Sequence, residues 1–134
     1  ASRNFGVMID TSQAVPIRMT DLERTLLDGL KAPELCGGES MVMRAWRNAV
    51  PRLDHDRMMR HLKRMDSPVM LARVGFLFDR LSIHDSFIEQ YRGKLPRGSS
   101  MRLVPARPFN SSYDASWNLS INLDEATLGE LVEN

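Results

Sequence analysis

The spacing of apolar residues changes along the chain and predicts the order of its elements. Apolar residues alternate with other residues at positions 5–9 and again at 15–19, the period-two pattern of short β-strands. The polar residues 10–13 between them predict a turn. Because Pro16 cannot donate a ladder hydrogen bond, we expect the second strand at a sheet edge.

From residue 21 onward the apolar period becomes that of an amphipathic helix. Leucines recur every four residues between positions 22 and 30. The helix start matches a capping box, in which Thr20 accepts from the N–H of Glu23 and Glu23 reaches back to the N–H of Thr20. A first helix is therefore expected from Asp21 to the Pro- and Gly-containing stop at 33–38.

Helical patterns continue through the middle of the chain. The second helix is predicted to run from residue 39 to Val50, before a proline that blocks extension. Asp54 is a plausible N-cap for a third helix, and Ser67, followed by proline, caps a fourth. The fourth helix is the most apolar and is expected to be the most buried. A shorter fifth helix is predicted to end near Gly93.

The pattern returns to period two near the C-terminus. Residues 95–113 are rich in Pro, Gly, Ser and Arg and predict irregular structure around a short strand at 101–104. Residues 117–123 alternate cleanly and predict a strand, and Asp124 caps a last helix. This order predicts an α+β fold, in which a central block of about five helices is flanked by short N-terminal and C-terminal strands forming a small sheet.

Composition places the chain among ordinary globular domains. Its 134 residues are 43% hydrophobic and 26% charged, and they fit a single domain spanning 1–134. No apolar run approaches the roughly 18–20 residues that cross a bilayer, and no signal-peptide pattern is present. We therefore expect no membrane partner and a cytoplasmic location. Cys36 is the only cysteine, so no internal disulfide can form.

The net charge of +1 conceals a segregation of charge along the chain. Residues 44–80 carry nine basic side chains against four acidic ones, and no Lys or Arg follows Arg107. Such segregation is typical of a face that binds a polyanion. The alternative is that the basic and acidic parts pair with each other within the fold.

The third helix carries the clearest candidate for a binding surface. Four basic side chains lie on one side of this helix, opposite its methionines, and we call them the basic stripe: Arg57, Arg60, Lys63 and Arg64. A stripe of this spacing can follow phosphates, as in a nucleic-acid-binding module. The preferred interpretation is the solvated face of an amphipathic helix, and nucleic-acid binding is the alternative.

The residues that could support catalysis do not form a recognisable site. Asp54, His55 and Asp56 are consecutive, so in a helix they point in different directions, and a helix start explains them equally well. His55 and His61 do not share a helix face and cannot clamp a metal together. Cys36 has no histidine near it in sequence, and no phosphate-binding glycine loop is present. We therefore expect no enzymatic activity, no metal and no cofactor.

Several segments resemble one protein family. Residues 20–28 and 33–38 closely resemble the C-terminal domain of AbiEi-type antitoxins, also described as predicted transcriptional regulators of viral defence systems. Residues 73–78, Arg-Val-Gly-Phe-Leu-Phe, are similar to that family's Arg-Leu-Gly-Tyr-Leu-Leu segment. Residues 103–105 and 116–122 resemble the beginning of its later strands and its closing Trp-x-Leu-x-Ile-Asn strand.

The resemblance implies an antitoxin of a bacterial type IV toxin–antitoxin, or abortive-infection, system acting in phage defence. Such antitoxins counteract a nucleotidyltransferase-like toxin, which is a functional partner that need not be contacted directly. They bind operator DNA through an N-terminal winged helix-turn-helix. No such motif is found here, because strands precede the first helix, so we expect this chain to be a fragment. The family provides no catalytic residues and no cofactor to carry over.

The motif positions of the resemblance are expected to have structural roles. They are Glu23, Arg24, Asp28, Arg73, Gly75, Trp117 and Asn122. Arg24 and Asp28 have the spacing of a helical ion pair, and Gly75 permits close helix packing. We expect Arg24 and Arg73 to be partly buried and to hold the helical block to the strands.

Overall fold

The computed structural model describes residues 7–10, 17–110 and 112–132. Its first elements are two short strands, β1 (Val7–Asp10) and β2 (Ile17–Thr20), paired antiparallel. This confirms the predicted N-terminal strand pair, although Asp10 ends β1 instead of beginning the turn. Pro16 and the predicted turn residues 11–13 lie outside the described residues.

Five helices follow in the order predicted. They are α1 (Leu22–Lys31), α2 (Glu39–Ala49), α3 (His55–Met65), α4 (Pro68–Arg80) and α5 (Ser86–Glu89). Short 3-10 turns at Pro33–Leu35 and Val50–Arg52 follow α1 and α2. The predicted caps of α3 and α4 are confirmed, since Asp54 accepts from the N–H of Arg57 and Ser67 from that of Met70. The fifth helix is shorter than predicted.

Helix α4 lies at the centre of the molecule. Every residue from Met70 to Phe78 is buried, and the helix contacts α1, α3 and α5. This confirms the prediction that it is the most buried helix. The wide burial follows from its sequence, which between residues 69 and 78 contains a single charged side chain, Arg73. The core therefore surrounds this helix on all sides.

The C-terminal segment folds back against α4. It contains β3 (Tyr113–Asp114), β4 (Leu119–Ser120) and α6 (Glu125–Gly129), with β3 and β4 antiparallel. The strand predicted at 117–123 is thus confined to two residues. Asn118 adopts a left-handed φ of 51°, which interrupts an extended chain on one side of β4. On the other side, the side chain of Asn122 bonds to the backbone of a neighbouring loop.

The α+β class is confirmed by the six helices and the short strands of the described residues. These strands form two separate two-stranded sheets, one at each end of the chain, whereas one small sheet was expected. The segment at Arg102 adds a single bridge to Ser120 beside β4. Most of the buried apolar side chains therefore come from helices, with the C-terminal segment covering one side of α4.

Candidate functional site

The basic stripe lies on the outer side of α3. The inner side of this helix is buried and consists of Met58, Met59, His61 and Leu62. Arg60, Lys63 and Arg64 are exposed, whereas Arg57 is partly buried. The structure therefore brings the four basic residues to one helix face, as their spacing predicted.

Arg57 and Lys63 of the basic stripe contact other residues of their own chain. Nη1 of Arg57 lies 3.6 Å from Oε1 of Glu23, and its Nη2 lies 3.9 Å from Asp54. Nζ of Lys63 lies 4.8 Å above the ring of Phe87. These contacts reduce the charge that the stripe offers to a ligand, because Arg57 is partly neutralised by two carboxylates.

The structure corrects the predicted capping box of α1. Because β2 extends through Thr20, the N-cap is Asp21, whose Oδ1 accepts from the N–H of Arg24 at 2.8 Å. Glu23 does not reach back to Thr20. Its side chain is 2% exposed, and its Oε2 accepts from the N–H of Asp54 at 2.9 Å. Glu23 therefore joins α1 to the start of α3.

A buried histidine–carboxylate pair lies beside this connection. Nε2 of His61 is 3.1 Å from both carboxylate oxygens of Asp21, and both residues are buried. One carboxylate thus caps α1 and contacts α3 at the same time. Sequence analysis missed this pair, because the two residues are 40 positions apart and nothing in the local pattern links them.

The candidate catalytic residues 54–56 are dispersed. Asp54 caps α3, and its hydrogen bond from the backbone of Arg57 holds the pKa of this carboxyl below its usual range. Nδ1 of His55 lies 3.8 Å from Asp85, and Asp56 is exposed. In the described part of the chain, no three His, Cys, Asp or Glu side chains come close enough to hold a metal.

Arg73 is a cation within the core. It is 5% exposed, and it donates from Nε to the carbonyl of Arg102 at 2.8 Å and from Nη1 to the carbonyl of Leu30 at 3.3 Å. Burial, together with the nearby charge of Arg102, lowers the pKa of Arg73 to about 10, which leaves it charged at neutral pH. Arg73 therefore joins α4 to the end of α1 and to the C-terminal segment, as expected.

Arg24, by contrast, has its ion pair within α1, where its Nε lies 3.6 Å from Asp28. Its side chain is 20% exposed, so the expectation of partial burial is confirmed. A link from Arg24 to the strands stays a prediction.

Gly75 of α4 lies against the ring of Trp117 in the C-terminal segment. A Cβ atom built on Gly75 would lie 2.6 Å from three ring atoms of Trp117. The ring is buried, and its Nε1 donates to Oδ2 of Asp79 at 2.9 Å, one turn further along α4. Gly75 thus permits a close approach, but the partner is an aromatic ring outside any helix, whereas close helix packing was expected.

The carboxylate of Asp79 also pairs with Arg92. The Nη2 of Arg92 lies 2.6 Å from Oδ1 of Asp79, and the same guanidinium pairs with Glu89 and covers the Trp117 ring. Burial alone would raise the pKa of Asp79, but the hydrogen bonds from Arg92 and Trp117 outweigh it and hold that pKa below its usual value. This cluster fixes the end of α4 against the C-terminal segment.

Asn122 ties a loop to the strand segment. Its Oδ1 accepts from the N–H of Val104 at 2.9 Å, and its Nδ2 lies within 3.3 Å of the carbonyls of Val104, Arg107 and Pro108. Asn122 is 5% exposed. Its position in the resemblance therefore has a structural reason, since the amide replaces ladder hydrogen bonds that this segment does not make.

Ion pairs connect α2 to the C-terminal region. Nε of Arg44 lies 3.2 Å from Oε2 of Glu130, and Nη2 of Arg107 lies 2.7 Å from Oε1 of Glu39. The first of these joins the basic block of the sequence to its acidic end. Part of the charge segregation is therefore used within the fold, which was one of the two alternatives.

Comparison with protein-family models, with curated proteins and with solved structures finds no match to this chain. None of the helices within the described residues is long and apolar enough to cross a bilayer. The resemblance to AbiEi-type antitoxins therefore depends on the sequence segments quoted above alone.

Proposed function

We propose that this chain is a non-enzymatic antitoxin domain of the AbiEi type, which counteracts a nucleotidyltransferase-like toxin in a bacterial abortive-infection system. The observation that carries the proposal is that three of the resembling segments meet in space. Gly75 touches Trp117, and Asn122 bonds to Val104, while Arg73 bonds to Leu30, which lies between the two N-terminal segments.

These contacts matter because they connect segments that are distant in sequence. A shared framework requires such contacts, since each segment then supplies a contact that the others need. The arrangement therefore supports the proposal.

The surroundings of the acidic and histidine side chains support a non-enzymatic role. A general base needs a carboxylate or imidazole that faces a cleft within reach of a substrate. Here Asp21 and His61 are buried against each other, Asp54 caps a helix, and Glu23 joins two helices. Each of these groups is used in holding the fold together.

Growth rescue provides the test of antitoxin action. The nucleotidyltransferase-like gene adjacent to the natural gene for this chain is induced in a bacterial host, with and without the chain expressed from a second plasmid. We expect the chain to restore growth. Operator repression is assigned to a winged-helix segment of the type that such antitoxins carry, so repression is not the readout.

Two variants separate folding from recognition. Gly75→Val, which places a larger branched side chain against Trp117, is expected to abolish rescue by preventing folding. Gly98→Ala has open space around its Cβ and is expected to rescue like the wild type. Failure of the folded, expressed wild-type chain to rescue, or the absence of a nucleotidyltransferase-like gene beside its own, would contradict the proposal.

A second candidate is binding of duplex nucleic acid by the basic stripe, since Arg60, Lys63 and Arg64 are exposed on one face of α3. Contacts with phosphates release counterions, so the affinity should fall steeply as salt is raised. Reversing the charge of these three residues should abolish the binding. Reversing Lys31, Arg52 and Lys94, which are exposed elsewhere, changes the net charge equally and serves as the matched control. Equal losses in both variants would argue against a specific stripe.

A further inference from the structure

Two aromatic rings project from the C-terminal segment. Phe109 is 50% exposed and Tyr113 is 46% exposed, which is unusual for side chains of this size. Each ring is accompanied by a guanidinium group. The Cζ of Arg102 lies 5.4 Å from the centre of the Phe109 ring, and that of Arg97 lies 6.0 Å from the centre of the Tyr113 ring.

The chain segments that carry the two rings both contact Ser120. Tyr113 is the direct partner of Ser120 in the β3–β4 pair, and Arg102 forms a bridge to Ser120 from the other side. The N–H of Asn110, next to Phe109, lies 3.4 Å from Oγ of Ser120. The segments that carry the two rings thus contact the same residue, and we call the rings with their two arginines the aromatic–arginine surface: Arg97, Arg102, Phe109 and Tyr113.

The loop that carries Phe109 is held in place by hydrogen bonds on both sides of the ring. Asn122 bonds to the carbonyls of Arg107 and Pro108 just before it, and Nδ2 of Asn110 donates to the carbonyl of Ile121 at 2.9 Å just after it. Arg107 is itself fixed by its ion pair with Glu39. An exposed ring on a loop held this firmly can bind a ligand with little loss of conformational entropy.

A cleft opens beside Phe109. It has a volume of about 300 Å³, at the lower end of the range of roughly 300–1,000 Å³ typical of ligand pockets. Its walls combine the aromatic ring with polar side chains. The lining residues are Arg107, Pro108, Phe109, Asn110, Asn122, Leu123 and Asp124. Arg107 is paired with Glu39, and Asp124 accepts from the N–H of Thr127, so the Phe109 ring is the group that this cleft offers to a base.

The charge of the surrounding segment favours an anionic partner. Residues 93–124 contain four basic side chains, at Lys94, Arg97, Arg102 and Arg107, against the acids Asp114 and Asp124, and Arg107 is paired with Glu39. Aromatic rings interleaved with arginines are the features by which proteins bind nucleic acid strands whose bases are unpaired, since bases stack on the rings and phosphates lie near the guanidinium groups. A duplex can use such rings only after its bases are unstacked, which costs a few kcal/mol per step.

We propose that the aromatic–arginine surface binds single-stranded nucleic acid, with one base stacked on Phe109 beside the cleft and another on Tyr113. The surface is separate in sequence from the basic stripe, and binding here does not depend on antitoxin activity. The shared chemistry is an unpaired base on a phosphate backbone, which DNA and RNA both provide.

Fluorescence anisotropy of the whole chain with labelled oligonucleotides tests the proposal. The probes are oligo(dT) and oligo(U) of about 12 nucleotides, within the site sizes of known single-strand binders, and a mixed-sequence duplex of the same length. We expect at least one single strand to bind more tightly than the duplex at about 50 mM salt. The oligonucleotide that binds more tightly identifies DNA or RNA as the preferred ligand.

Substitution of the rings decides whether stacking is responsible. Phe109→Leu and Tyr113→Leu should each weaken single-strand binding at least fivefold, whereas Phe109→Tyr and Tyr113→Phe should keep the wild-type affinity. Leu35→Ala, at an exposed apolar residue of the α1–α2 connection, is the control that should change nothing. Unaltered melting curves would establish that the variants fold.

Several results would overturn the proposal. These are undetectable single-strand binding at low salt, tighter binding of the duplex, or affinity that is unchanged by Phe109→Leu and Tyr113→Leu. Loss of binding only on charge reversal of the basic stripe would likewise show that the oligonucleotide binds at α3 and not at the aromatic–arginine surface.

Discussion

Replacing Gly75 with alanine adds one methyl group at the point where α4 meets Trp117. In an exposed helix this change would stabilise the protein by about 1 kcal/mol, because alanine is the better helix former. Here the new carbon would lie 2.6 Å from three atoms of a rigid ring. The ring must therefore shift, although it is buried and bonded to Asp79.

The cost of that shift has two parts. Overpacking a close-packed core costs roughly 1–3 kcal/mol. Weakening the hydrogen bond from Trp117 to the Asp79 carboxylate adds roughly 1.5–3 kcal/mol, since bonds to charged groups are the stronger ones. After the gain in helix propensity is subtracted, we expect Gly75→Ala to lower the free energy of unfolding by roughly 1.5–5 kcal/mol. For a domain of this size the melting temperature should fall by roughly 6–20 °C.

Urea titration followed by circular dichroism measures this free energy. Gly29→Ala in α1 is the matched control, because its Cβ would lie 3.2 Å from a methyl group of Val42, which can move slightly. We expect that variant to stay within about 1 kcal/mol of the wild type. In a Trp117→Leu background the sign should reverse, so that Gly75→Ala stabilises. An equal cost in both backgrounds would refute the reasoning that the indole ring is the obstacle.

Four further substitutions test the other connections. Arg73→Ala leaves two buried carbonyls without their donor and should cost roughly 2–4 kcal/mol of unfolding free energy, whereas Arg24→Ala should cost at most about 0.5 kcal/mol, both read from urea titrations. Asn122→Asp keeps the shape but removes the donors to three carbonyls, so we expect a similar loss and faster amide exchange at Val104. Asp79→Asn should flatten the acid limb of a plot of melting temperature against pH. The lowered pKa of Asp79 provides stability above pH 3.8 that is lost as pH falls through the folded value.

Each of these predictions has an outcome that would contradict it. Equal melting temperatures for Arg73→Ala and Arg24→Ala would mean that the buried guanidinium bonds contribute little. An unchanged exchange rate at Val104 in Asn122→Asp would mean that the loop is held by other contacts. Parallel acid limbs for the wild type and Asp79→Asn would show that the pairing of this carboxylate with Arg92 does not stabilise the fold.

The helical part of the fold could be predicted from local pattern. Asp54 and Ser67 cap α3 and α4 as expected, because a short polar side chain before an apolar period is a signal contained within a few residues. The basic stripe is on the predicted face for the same reason, since helical periodicity alone places it opposite the buried methionines.

The errors occurred where distant residues decide the structure. Either Thr20 or Asp21 satisfies the local requirement for a cap, and the choice is settled by β2 and by contact with His61, which is 40 residues away. Apolar and polar residues alternate at 117–123, as in a strand with one exposed face. The polar residues Ser120 and Asn122 are nevertheless buried, because a loop folds over them. The exposure of Phe109 depends on that loop and was equally invisible in the sequence.

The hydrogen bonds of Arg73 limit where this protein can be truncated. Its two backbone partners are 43 residues before it and 29 residues after it, so this guanidinium links segments that are distant in sequence. A variant truncated after about residue 95 would retain α1 to α5. It would leave the charged Arg73 in an apolar interior without its Arg102 partner, and it would expose Gly75 by removing Trp117. Loss of activity in such a truncated variant would therefore reflect misfolding and would not show which residues carry the activity.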